Sequence, residues 1–314
     1  MDANQEPSGQ SPVVTVSGVN LGELAKPATV LIEKISDALG GFAKPWQIKR
    51  IAQAEAVAKR IGAEADLEIF ELQQRTFRRI ASEEQQRQKN IESITEKSLP
   101  QLQSGTDPSK MDNDWIADFF ERCRIVSDED MQTLWSKILA GEANQPGSYS
   151  KRTLAVMSLL SKDEAEMFGL YGSFLWRSAN GARYSIDSDV SSKFWPSKTV
   201  PFNVAQAHLH DIGLVGPIGT MSCSWSGLPE REFTYFDESY RFKFGAEYRK
   251  PLLEPVFPPF TYLTGTGYQL LKIAEIKKNL TYAEAVMQQL VKDYAKYHLE
   301  FERVAVPEPL NKVN

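Results

Sequence analysis

The stretch WQIKRIAQAEAVAKRIGAEADLEIFELQQRTFRRIASEEQQRQKNIESITEKSLPQL, Trp46 to Leu102, contains one glycine, Gly62, and no proline before Pro100. It is rich in Ala, Glu, Gln, Lys and Arg, the residues that lose least on entering a helix. Pro45 suits a first helical turn. An unbroken helix from Pro45 to Ser98 would run roughly 80 Å at about 1.5 Å per residue, far more than a compact domain needs, so it is expected to project or to pair. Phe70, Phe77, Ile80, Ile91 and Ile94 keep a loose seven-residue rhythm. Gln73, Glu84 and Arg87 occupy positions that a tight seam would fill with apolar groups. The expectation is a weak coiled coil or oligomerisation arm with those five apolar residues as contacts, set against an isolated, solvated helix. Lys49, Arg50, Lys59, Arg60, Arg75, Arg78, Arg79 and Arg87 alternate with acids, the pattern of a solvated face and not of a nucleic-acid track.

Upstream, Leu21, Leu24, Ala28, Leu31, Ile32, Ile35, Ala38 and Leu39 fall at helical spacing, opposite a mixed-sign face of Glu23, Lys26, Glu33, Lys34 and Asp37. Packing against protein is expected, because a helix lying on a membrane surface carries an excess of Lys and Arg. Gly40 and Gly41 supply a C-cap, and Pro45 drives Lys44 out of helical geometry. Phe42 and Trp46 would pin the corner by aromatic burial. Gly40, Gly41, Phe42, Pro45 and Trp46 are therefore read as a structural corner, with membrane or partner contact as the alternative. The glycines follow a helix instead of joining a strand to a helix, so they do not make a phosphate loop.

Downstream, QSGTDPSKMDN reads as a linker. A small helical bundle is expected after it: Ser127 with Asp130 resembles a capping box, Ser150 can cap KRTLAVMSLL, and Ser161 with Glu164 forms a full capping box for KDEAEMFGLYGSFLW. Past RSANGARYSID the pattern changes. A helix from Val204 ends in HLHDIGLV, and IGTMSCSWSG, REFTYFD and SYRFKFGAE alternate with a period of two, predicting an antiparallel meander. YLTGTGYQLLKIAE reads as a short strand and a helix, and Thr281 with Glu284 as a capping box for the last long helix. The fold class is thus α+β, mainly α: a leader at 1–20 expected to be disordered, an amphipathic helix, corner and arm at 21–104, a bundle at 105–180, and a helix, small sheet and helix module at 181–314. That module is winged-helix-like at most, since AQAHLHDIG has no basic recognition surface.

Net charge is −5 over 314 residues, which gives no electrostatic case for broad nucleic-acid binding. No apolar run approaches the roughly 18 residues of a membrane span, and the acidic start is unlike a secretory signal, so a cytoplasmic location is expected. Cys123 and Cys223 lie too far apart in sequence for a zinc motif and read as buried or half-buried thiols. His208, His210 and Asp211 suggest a metal string, but residues two apart on a helix point in opposed directions. His298 reads as a charge near a helix C-terminus. No G-x-S-x-G elbow is present. No catalytic, cofactor or metal residue is assigned, and no cofactor is expected.

The corner LIEKISDALGGFAKPWQIKRIAQAEA, the block MQTLWSKILAGEANQPGSYSKRTLAVMSLLSKDEAEMF and the late pair DIGLV and YLTGTGYQLLKIAE together resemble a bacterial family catalogued as domain of unknown function 2806, over about Leu21 to Val291. The resemblance implies no catalytic residue. The LWSKILAGEA block is also loosely similar to helical proteins met among phage-resistance and abortive-infection genes. The leading expectation is a non-enzymatic interaction or assembly protein, a homo-oligomer with an unidentified protein partner and no nucleic acid. A peripheral-membrane effector using 21–46 is the alternative, and a hydrolase assembled in space the third reading.

Overall fold

The computed structural model describes residues 24–39, 67–178, 181–186, 188–218, 230–243, 245 and 260–305. They fall into two compact units that divide between Leu154 and Ala155. The leader at 1–20, the corner Gly40 to Trp46, the first part of the expected arm and, beyond Ile218, the strand expected in IGTMSCSWSG lie outside the described residues.

The first unit is helical. α1 (Ala25–Ala38) buries Ala28, Leu31 and Ile35 against α3 (Asn113–Cys123) and the short 3₁₀ turn Pro108–Lys110. This helix spends its apolar stripe on protein. α2 (Leu67–Ser98) runs 32 residues and gives way at Pro100 to a 3₁₀ turn, Leu99–Gln101. α4 (Glu129–Asn144) packs along α2. Phe119 sits between Trp115 (ring centroids 5.2 Å apart) and Trp135 (5.2 Å) at the centre of this core. The linker expectation is corrected: Pro108 and Met111 are buried and Asp112 caps α3 by accepting from Trp115 N at 2.8 Å, so this segment is part of the first unit. The cap of α4 is Asp128, one residue after the serine expected, accepting from Met131 N at 2.9 Å. Its first turn carries Glu129 and Asp130, which suits the positive end of the helix.

α5 (Lys151–Leu159) spans the division between the units, with Ser150 Oγ accepting from Thr153 N as expected. In the second unit, α6 (Lys162–Gly172) opens on the complete Ser161–Glu164 capping box. A six-stranded antiparallel sheet follows: β1 (Leu175–Ser178), β2 (Arg183–Ile186), β3 (Glu230–Tyr235), β4 (Glu238–Lys243), β5 (Phe260–Tyr262) and β6 (Glu300–Val304), in the order β5-β2-β1-β3-β4-β6. The sheet is larger than the expected meander, because FLW, expected in α6, turns into β1 and the chain near its end adds β6 to β4. Trp176, Tyr235, Tyr240 and Phe242 share one buried face, with the Trp176 and Tyr235 rings 5.0 Å apart. α7 (Asp189–Phe194), α8 (Phe202–Asp211), α9 (Gly265–Leu271) and α10 (Leu280–Asp293) pack around the strands. Tyr282 of α10 joins the aromatic cluster, its ring 4.7 Å from that of Phe174. Asn279 caps α10 by accepting from Tyr282 N at 3.1 Å, and Thr281 lies inside the helix; the expected Thr281–Glu284 box is corrected accordingly.

Candidate interaction site

The C-terminal half of α2 is fixed by polar contacts as well as by burial. Asn90 Nδ2 donates to the Arg124 carbonyl at 2.9 Å, and Gln132 Nε2 donates to the Val126 carbonyl at 2.9 Å. Ser93 Oγ and Lys97 Nζ both donate to Gln132 Oε1, at 2.8 and 3.1 Å. Gln101 Nε2 donates to Ser136 Oγ at 3.0 Å. Each buried amide thus meets a partner, which removes the penalty that an unpaired one would carry. Ile94 is fully buried in this seam. It is taken up by the core of its own chain, which withdraws it from the expected oligomer contacts.

The N-terminal half differs. Leu72 and Asn90, Phe77 and Thr95, and Ile80 and Ser98 are each eighteen residues apart, about five turns at 3.6 residues per turn, so each pair points the same way from the helix axis. Asn90, Thr95 and Ser98 are 3%, 5% and 0% exposed. Leu72 and Ile80 are 57% and 51% exposed, and Phe77 is half-buried. The stripe that α4 covers below therefore continues uncovered above, and there it becomes apolar. Length accounts for this: 32 residues of α2 span about 48 Å, whereas the 16 of α4 span about 24 Å. Ile91 lies half-buried at the boundary, and Phe70 belongs to the helix with its side chain outside the described residues. Leu72 was missed in the sequence because it breaks the seven-residue count.

Arg79 and Glu83 form an i,i+4 pair at 2.7 Å on one edge of this stripe, and Arg87 reaches Glu83 at 3.8 Å and Glu84 at 3.3 Å. Glu84 and Arg87, the charged residues that interrupt the heptad pattern, thus pair with each other along their own helix, at the end of the apolar stripe nearest α4.

The motif block around LWSKILAGEANQPGSYSKR is structural. The buried Glu142 carboxylate accepts from Gly147 N at 2.6 Å and Tyr149 N at 2.9 Å. Trp115 Nε1 donates to the Tyr149 carbonyl at 2.7 Å. Burial raises the Glu142 carboxyl above its ordinary value, partly opposed by these amides. The Tyr149 phenol is pushed up to about 12, by burial first and then by Glu142. Both carboxylate oxygens thus accept from the loop that returns the chain.

In the second unit, Ser185 Oγ lies 2.7 Å from Tyr171 Oη and accepts from Gln206 Nε2 at 3.1 Å, a buried polar cluster between sheet and helices. His208 Nε2 lies 2.7 Å from Glu164 Oε1. The amide of Ser161, then its hydroxyl and His208, hold the Glu164 carboxyl below its ordinary value. His210 instead meets Asp211 at 3.3 Å, so the two histidines do not converge. His298 follows the 3₁₀ turn Ala295–Tyr297 with φ 50°, in the left-handed region. Among the described residues no three His, Cys, Asp or Glu side chains group as metal ligands, and no helix is long and apolar enough to cross a membrane. Cys123 is buried, and burial pushes its thiol up, away from the reactive thiolate. Cys223 lies outside the described residues.

No curated protein and no solved structure matches the chain. A family model does match, over residues 74–287, which takes in the exposed part of α2 from residue 74, the Glu142 loop and the chain as far as α10. The chain belongs to the family described as Protein of unknown function (DUF2806).

Proposed function

We propose that this is a non-enzymatic assembly protein whose copies associate through the N-terminal half of α2. The observation that carries this reading is that exposed Leu72 lies in line with buried Asn90, and exposed Ile80 with buried Ser98, the two lines belonging to one face of the helix. An apolar stripe continuing past the end of its covering helix is the surface a second helix packs on. A second copy fits the charges. Arg79 and Glu83 lie on the same edge, so a copy running antiparallel places Glu83 opposite Arg79 and Arg79 opposite Glu83. Phage defence stays attached to this proposal only through the likeness of the LWSKILAGEA block to phage-resistance proteins, and a cytoplasmic setting only through the composition of the sequence.

Hydrogen exchange on the full chain at two protein concentrations tests the assembly reading. Amides over residues 71–84 should exchange more slowly at the higher concentration, while those over 90–98 stay unchanged. Equal exchange over 71–84 at both concentrations would remove the support.

A further inference from the structure

A second surface carries an independent inference. Arg177 of β1 and Arg183 of β2 are registered directly opposite each other. Directly opposed residues on antiparallel strands point to the same face, and like charges in that arrangement are destabilising. Both side chains are half-buried, and neither guanidinium has a hydrogen bond or ion pair among the described residues.

The same sheet face does hold acids. Arg177 stands opposite Thr234, two residues from Glu232, which stands opposite Arg241, which in turn stands opposite Glu302. Those acids are engaged elsewhere: Arg241 pairs with Glu232 at 2.6 Å, Glu302 at 3.3 Å and Glu230 at 3.4 Å, and Lys243 pairs with Glu302 at 2.8 Å and Glu230 at 3.7 Å. The face is therefore divided between a satisfied ionic network on β3, β4 and β6 and a guanidinium pair on β1 and β2 that has no acidic partner among the described residues. Burial, and then the charge of Arg177, lower the Arg183 value, with Tyr268 acting in the opposite sense. Tyr268 of α9 is exposed and carries Lys272 Nζ 5.8 Å from its ring centroid.

We propose that Arg177 and Arg183 together bind a phosphoryl group. Two forked guanidiniums on adjacent strands offer parallel N–H donors to a tetrahedral oxyanion, and the bound dianion replaces their mutual repulsion with charge-assisted hydrogen bonds. The exposed Tyr268 ring, within electrostatic reach of Arg183, offers a flat surface suited to the base of a nucleotide. Inorganic phosphate and a nucleoside monophosphate are thus two sources of the same chemistry.

Thermal unfolding of the full chain in low-salt chloride buffer tests the site, with sodium phosphate or adenosine monophosphate titrated against sodium chloride of matched ionic strength. Phosphate should raise the midpoint saturably by several degrees over the chloride control. Half-saturation at lower concentration with adenosine monophosphate assigns a nucleotide; equal half-saturation assigns free phosphate. Arg177→Gln and Arg183→Gln should each raise the midpoint in phosphate-free buffer, since the repulsion is relieved, and should abolish the phosphate response. Arg183→Lys keeps the charge without the fork and should lose most of the response while remaining folded. A rise no larger than that from chloride, or one that persists in these variants, overturns the proposal.

Discussion

Ile80 and Ser98 lie on the same line of one helix, about five turns apart, yet Ile80 is half exposed and Ser98 fully buried. Burial along α2 is therefore set by where α4 ends and not by side-chain polarity. Truncation should read this directly. Ile94→Ala removes a fully buried side chain and should cost about 2–5 kcal/mol in denaturant unfolding. Ile80→Ala, measured where the protein is monomeric, should stay within about 0.5 kcal/mol of the parent. Similar costs at the two positions would show that the upper stripe is packed within the monomer.

The Glu142 carboxylate meets two loop amides in a buried site, so removing it strands both donors. Glu142→Ala should destabilise the chain by about 2 kcal/mol or more, and Glu142→Gln, which keeps one acceptor, by less. Equilibrium unfolding in urea measures both. An alanine variant as stable as the parent would contradict the stapling role.

Glu164 gives the second unit a pH dependence of defined sign. Its folded-state carboxyl is held below the ordinary value, first by the Ser161 amide, so the folded form favours the ionised group. The resulting stabilisation is present above the ordinary value of 4.5 and is lost as pH falls through the lowered one. Unfolding free energy recorded from pH 7 down to pH 3 should fall less steeply in Glu164→Gln than in the parent. Parallel profiles would contradict the assignment.

Gly267 faces the backbone of Leu214, whose carbonyl accepts from Thr264 N and Thr264 Oγ1, both at 3.1 Å. A Cβ at 267 would fall well inside contact distance of the Leu214 oxygen, and backbone there has little room to give. Gly267→Ala should cost about 1–3 kcal/mol by calorimetry or denaturant unfolding, through overpacking. A neutral substitution would show that α9 shifts freely away from Leu214.

Much of this architecture was legible because local chemistry agreed with the final fold. The Ser161–Glu164 box, the Ser150 cap, the alternation in REFTYFD and SYRFKF, and the breaker-free run through Ser98 each specify an element without help from distant residues. β1 escaped because FLW is a short apolar run that reads equally well as the end of a helix. The Asn180-Gly181 dipeptide, with Gly181 at φ 84°, was the available hairpin signal. β6 escaped because an exposed edge strand has little hydrophobic alternation to show. In the candidate site, the heptad count found Phe77 and Ile80 but could not tell that Ile94 is covered by α4, which depends on tertiary packing alone. The Arg177–Arg183 pairing needs strand register and was invisible for the same reason.

Sedimentation velocity of the full-length protein over a micromolar concentration series, beside Ile80→Glu, tests self-association through α2 most directly. A charge placed on the exposed stripe leaves the monomer folded but must be desolvated in any pairing that buries position 80. The account predicts that the parent sediments as an oligomer at micromolar concentration and that Ile80→Glu weakens association by about tenfold or more. A parent that remains monomeric throughout, or an Ile80→Glu variant that associates as strongly as the parent, would contradict it.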